Sequence, residues 1–184
     1  MLRGAIWLFA FVLAGLVVLS LQPAGRAALP DGNVLLRDAD VVLYPRADEG
    51  AVWLFSSPEV SYSPASGRSV LKQLSDGRRT IDGDTDFRLA ADELLIDRDD
   101  NLSGDLVTVR LEQTGECLTM LSDGVTPVVI EQGTGLFRVP LLDIQGPAWG
   151  SDNRWQRVTA SFDLEEFTAG GPGTVTVNEF LAGA

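Results

Sequence analysis

Asp82, Asp84 and Asp86 stand at alternate positions, and Glu93 follows Asp82 by eleven residues, the spacing at which a helix–loop–helix calcium site places its bidentate ligand. The sixth position of such a loop needs glycine for its sharp turn, and here it is Phe87, an aromatic for which positive φ is costly. No helical pattern flanks the segment, so the expectation is an acidic hairpin turn. Asp97, Asp99 and Asp100, or Asp92 with Glu93, are the carboxylates that a glycosidase-like acid–base pair would draw on. Nothing near them in the sequence marks one as desolvated, which reads as a solvated acidic turn. Trp149 and Trp155, on either side of "GSDNR", would stack on a sugar if exposed together, the alternative being an exported carbohydrate-binding or adhesion β-sandwich, and cap the core if buried.

The remaining reactive residue types exclude more than they offer. The chain has no histidine, which removes Ser-His-Asp catalysis, histidine acid–base chemistry and His-ligated zinc together. Cys117 is the only cysteine, so no intramolecular disulfide braces the fold. Its setting, "GECLTML", is an apolar strand-like run that suits a buried, inert thiol. These residues point to no enzyme, no cofactor and no metal.

The elements that position such residues are strands. In "DLVTVRLEQ", Val107, Val109 and Leu111 alternate with Thr108, Arg110 and Glu112; "RVTASFDLEE" and "GTVTVNEF" alternate in the same way. Turn signals punctuate the chain at short intervals: "YPRADEG", "SPASG", "SDGRR", "DRDDN", "QTGE", "SDG", "EQGTG" and "AGGPG". The eight residues "AADELLID" have helical propensity but are too few for a helix without packing. They read instead as two short strands, or one strand bent near Ala90–Asp92. A repeat supports this: "LLRDADVVLYP" (35–45), "WLFSSPEVSYS" (53–63) and "FRLAADELLID" (87–97) align without gaps, and "WQRVTASFDLE" (155–165) follows more loosely. Each is a strand–bend–strand unit offering an apolar face to a shared interior.

Residues 1–28 are of another kind. Between Arg3 and Arg26 there is no charge, and the apolar run from Ala5 to Leu21 would span about 25 Å as a helix. That length fits a retained anchor or a signal peptide cleaved after Ala27, and Arg3 favours an N-in orientation. Two domains are expected: an N-terminal hydrophobic helix over 1–28 and an exported all-β domain over 29–184. The exported part keeps 12 basic against 26 acidic residues, a balance that repels nucleic acid.

With "FRLAADELLIDRDDNLSGDLVTVRL" (87–111) and "GAVWLFSSPEVSY" (50–62), the chain resembles the periplasmic lipopolysaccharide-transport proteins of the LptC/LptA, OstA-like group. The hydrophobic segment ahead of an all-β domain is similar to the membrane-anchored LptC type in particular. The resemblance implies a twisted, open antiparallel β-roll whose apolar interior shields acyl chains. It implies an amphipathic lipid as ligand, a β-rich transport partner at an edge strand, and a tether to the inner membrane with the domain facing the periplasm, or secretion into the periplasm if the leader is cleaved. On these terms the lipid-binding residues are Trp53, Phe55, Val60, Tyr62, Phe87, Leu89, Leu94, Ile96, Val107, Val109 and Leu111, and the docking edge carries Val175 and Val177. Whether the interior is a filled core or a slot stays open at the level of sequence.

Overall fold

The computed structural model describes residues 32–147 and 149–170, and Val175–Thr176 as a strand. The expected N-terminal helix and leader, 1–28, lie outside these residues. The described strands all fall within one compact unit that begins at Gly32. The protein is all-β. In chain order the strands are β1 (Val34–Leu43), β2 (Ala51–Ser63), β3 (Arg68–Ile81), β4 (Asp84–Ile96), β5 (Leu102–Gly104) and β6 (Leu106–Leu111). They continue as β7 (Cys117–Leu121), β8 (Val128–Glu131), β9 (Leu136–Gly146), β10 (Gly150–Ser161), β11 (Phe167–Ala169) and β12 (Val175–Thr176).

Every pairing is antiparallel, and the strands form one sheet that begins at β1 and ends at β12. The expectation of an open roll needs correcting in its middle. There β4 pairs β5 and β6 along the same edge, β9 pairs β8 and β7, and β5–β8 and β6–β7 complete a closed six-strand ring. Only the flanks, β1–β3 on one side and β10–β12 on the other, extend the sheet beyond the ring.

The ring closes because nearly every long strand breaks its alternation at the same level. In β4, Phe87, Leu89 and Ala91 face the core, Asp92 and Glu93 are both exposed, and Leu94 and Ile96 face the core again. In β3 the same slip falls at Lys72–Gln73, with Gln73 at φ 53°. In β2 it falls at Pro58–Glu59, and in β10 at Gln156–Arg157, with Arg157 at φ 51°. Asp38 of β1, at φ 49°, faces Pro58, and Pro140 of β9 faces Arg157. One extra residue at one level in each strand bends that strand and returns the following side chains to the interior. The result is a crease that crosses the sheet and folds it into two leaves with the apolar faces inward.

Ring contacts across the interior confirm the folding. On an unfolded ladder, Phe87 and Phe137 would be separated by roughly 30 Å along the strands and about 14 Å across them. Their ring centroids lie 5.7 Å apart, and Phe87 also meets Phe162 edge-on at 5.5 Å.

The choice between helix and strand over 90–97 resolves in this geometry. "AADELLID" is the creased part of β4, a single bent strand, with the bend beside the expected Ala90–Asp92. The repeat holds for 53–63 and 87–97, where a small inward residue, Ser57 or Ala91, precedes the bend. It fails for 35–45: there the bend comes at Asp38, and Val42 and Tyr44 are 46% and 70% exposed. "SDGRR" is not a turn but the middle of β3, where Gly77 lets the backbone approach, a Cβ there lying 3.1 Å from the Leu89 carbonyl.

Candidate functional site

Ten of the eleven residues assigned to lipid contact come together in the interior. Trp53, Phe87, Leu94, Val107 and Val109 are fully buried, and Phe55, Val60, Leu89, Ile96 and Leu111 are no more than 6% exposed. They pack on Phe137, Val139, Leu142 and Ile144 of β9 and on Leu118 and Met120 of β7. A fully buried side chain has no space beside it even for water, so at these positions the interior is a filled core.

Tyr62 is the exception, at 40% exposed. It pairs with Val34, and Val60 pairs with Leu36, so Val34 and Leu36 share the inward-facing side with Val60 and Tyr62. Yet Val34 and Leu36 are 44% and 46% exposed. At this β1–β2 corner the inner face is uncovered, while a few residues along β2 it is sealed. Leu35, on the other face of β1, is exposed as well. Among the described residues β1 pairs only with β2, and none of them pairs with its second edge. Sequence reasoning missed Val34 and Leu36; the clue was the run Val34-Leu35-Leu36, which is apolar on both faces of a strand.

At the far end of β2 the interior is closed by polar groups. Trp53 Nε1 donates to Gln132 Oε1 at 3.0 Å, and the Gln132 backbone N–H donates to Asn101 Oδ1 at 3.1 Å. The Asn101 backbone N–H in turn donates to Asp97 Oδ1 at 2.9 Å. Arg79, only 4% exposed, lies between Trp53 and Phe87 in register on the inner face. Its guanidinium pairs with Asp48 of the β1–β2 turn and Asp86 of β4, and stands 4.9 Å and 5.5 Å from the ring centroids of Phe162 and Phe87. A cation is tolerated in such a place because two carboxylates and two π faces replace its hydration. Arg79 joins the two leaves at this end.

The other candidates take structural places. Asp82 and Gly83, at φ 53° and 92°, make the two-residue β3–β4 turn. Asp86 serves Arg79, and Glu93 lies at the crease, roughly 30 Å along the strand from Asp84. Among the described residues no three potential metal ligands gather. Asp97 accepts the N–H groups of Asp99 and Asn101 and shapes its own turn. Trp149 is 9% exposed and meets Trp155 edge-on at 6.4 Å, with Phe167 packed on both. This is a core-capping cluster rather than an open platform. Cys117, on β7, is only partly buried.

Of the two docking residues, Val175 pairs with Ala169 in β12, at the end of the sheet; Val177 lies outside the described residues. No family model matches the chain, and no curated protein matches it either. Over the described residues the fold and the site define a class: an all-antiparallel β protein with a closed six-strand ring, a buried apolar interior and an apolar β1–β2 corner that is exposed.

Proposed function

We propose that the chain is a non-enzymatic, exported β-roll that takes up an amphipathic lipid and relays it to a β-rich partner, with residues 1–28 holding it at the inner membrane. The observation that carries the reading is the β1–β2 corner, where Val34, Leu36 and Tyr62 face inward without cover, next to a core of the residues that the resemblance assigns to lipid. An acyl chain entering there gains about 0.8 kcal/mol per buried CH₂ and needs no specific polar contact. The β-rich partner docks at the opposite end of the sheet, extending it at the β12 edge that carries Val175. The likeness of 50–62 and 87–111 to the lipopolysaccharide-transport group supports the same ligand class.

The test is photo-crosslinking in cells from a photoreactive residue at Val34, Leu36 or Tyr62. Lipid adducts at these positions, and none from the outward-facing Thr108, are expected. If the three corner positions give no lipid adduct, the relay reading is wrong, and the chain is a packed structural domain.

A further inference from the structure

The crease that folds the sheet also marks its outer surface. Three cavities lie along it and share residues: Asp92 and Leu106 line both the β3–β4 cavity and the β4–β5 cavity, and Pro127 lines both the β4–β5 cavity and the β8–β10 cavity. Together they form a furrow from β3 to β10, about 24 Å long at five strand spacings. Its two ends differ in charge. Asp92, Glu93 and Asp105 crowd the β4–β5 stretch, whereas the β8–β10 end, a cavity of about 360 Å³, contains Arg138 and Arg157.

The floor of that second end is apolar, built from Pro127, Val129 and Pro140. Arg157 is exposed and, among the described residues, has no carboxylate partner, in a chain of net charge −12. Its αL backbone is set by the crease, and its side chain lies against Gly170, where an added Cβ would come within 2.7 Å of Nε. Arg138 uses Nε for Glu131, which leaves its terminal nitrogens available. Asp123, the one acid in this cavity, turns Oδ1 to the N–H groups of Val125 and Thr126, at 3.0 and 2.7 Å.

We propose that the β8–β10 end of the furrow is a second lipid station, binding an anionic amphiphile with its carboxylate or phosphate head on Arg157 and Arg138 and its stem along Pro127, Val129 and Pro140. The inference rests on the lipid-binding reading above but differs from it in place, because this site lies on the outer face and needs no opening of the core. Two guanidiniums over an apolar floor fit a charged head joined to a chain; neither an uncharged lipid nor a free anion uses both.

The full-length chain, held in discs of neutral phospholipid, is exposed to photoreactive decyl phosphate, decyl carboxylate and decanol, and adducts are mapped by mass spectrometry. Either decyl anion is expected to label 123–129 and 138–140, with decanol at least tenfold weaker. Arg157→Gln should lower that labelling about tenfold, while labelling at the β1–β2 corner and the circular dichroism stay unchanged. Excess inorganic phosphate should displace little of the probe. Equal labelling by decanol, indifference to Arg157→Gln, or full displacement by phosphate overturns the proposal. So does displacement by an acidic peptide at equal concentration, which would assign the furrow to a protein partner. Labelling confined to the corner sinks this station and leaves the corner reading standing; corner labelling absent with furrow labelling present does the reverse.

Discussion

Arg79 is the residue on which most depends. Its ion pairs with Asp48 and Asp86 are largely withdrawn from water, the Arg79 side chain being 5% exposed and the acids 23% and 21%. Removing the cation strands two carboxylates at the rim of an apolar core. Arg79→Ala should cost about 3–5 kcal/mol in urea denaturation, the range for breaking a buried pair. Arg79→Met, which keeps an unbranched stem over Phe87 and Phe162, should lose less. If both variants unfold at the wild-type urea concentration, the contact does not join the leaves. By contrast, the two-point pair of Arg154 with Asp143, at 2.9 Å for each bond, lies on the outer face with Arg154 71% exposed. Asp143→Asn is expected to change stability by under about 1 kcal/mol.

At the scale of elements, the crease depends on close packing where strands break. A Cβ on Gly104 would sit 2.8 Å from the backbone carbonyl oxygen of Glu93, which has no flexible tail to give way. Gly104→Ala should therefore destabilise by about 1–3 kcal/mol, read as a lower melting temperature with an unchanged far-ultraviolet spectrum. Strands were legible in sequence wherever one face is buried and the other wet, as in β6, because period two then records both environments. The bend of β4 was visible near Ala90–Asp92, and the aligned repeat implied another within 53–63, where the slip falls just after Ser57. What stayed hidden were the places where burial inverts type. Arg79 points inward although "SDGRR" has turn composition, and the partners that make this tolerable, Asp48 and Phe162, come from 31 residues before it and from beyond β10. Val34 and Leu36 were hidden for the converse reason: their pattern is that of a core strand, and only the sheet's edge leaves them exposed.

For the molecule as a whole, acid is the condition that should tell most. Glu59, Asp123, Glu131, Asp143 and Asp163 all have their carboxyls held below the ordinary range. The main causes are bonds from Lys72, from the Thr126 and Val125 amides, from Arg138, from Arg154 and from the Ser161 hydroxyl. A carboxyl lowered in the folded state contributes stability that is fully present above its unfolded value, 3.8 for Asp and 4.5 for Glu, and is lost as pH falls through the folded value. Urea midpoints should thus be flat from pH 7 to about 5 and fall below about 4.5. In an Asp123→Asn, Asp143→Asn double variant that fall should be shallower. A midpoint that climbs steadily from pH 5 to pH 3 would mean that relief of the net negative charge outweighs these bonds. The far edge is expected to be dispensable for folding, since among the described residues β12 is joined to β11 by two residue pairs, Thr168–Thr176 and Ala169–Val175. Deleting 173–184 should keep the β-sheet circular dichroism and abolish partner capture; unfolding instead would place the strand in the core.

The order of strands in the sheet also decides how the protein carries load. β1 and β12 stand at opposite ends of a sheet whose neighbours are mostly neighbours in sequence. Tension applied through the two chain ends therefore acts on the outermost strands first and opens their hydrogen bonds one after another, as a zipper opens, rather than shearing a whole ladder at once. The flanks β1–β3 and β10–β12 should peel away at low force, until the pull reaches β4 and β9. There the strand pairings close on themselves, and no free edge remains from which to continue. A pulling trace should show gradual lengthening from the flanks followed by one abrupt rupture of the ring. A protein tethered at one end and gripped by a partner at the other would give before it breaks, and reclose when released.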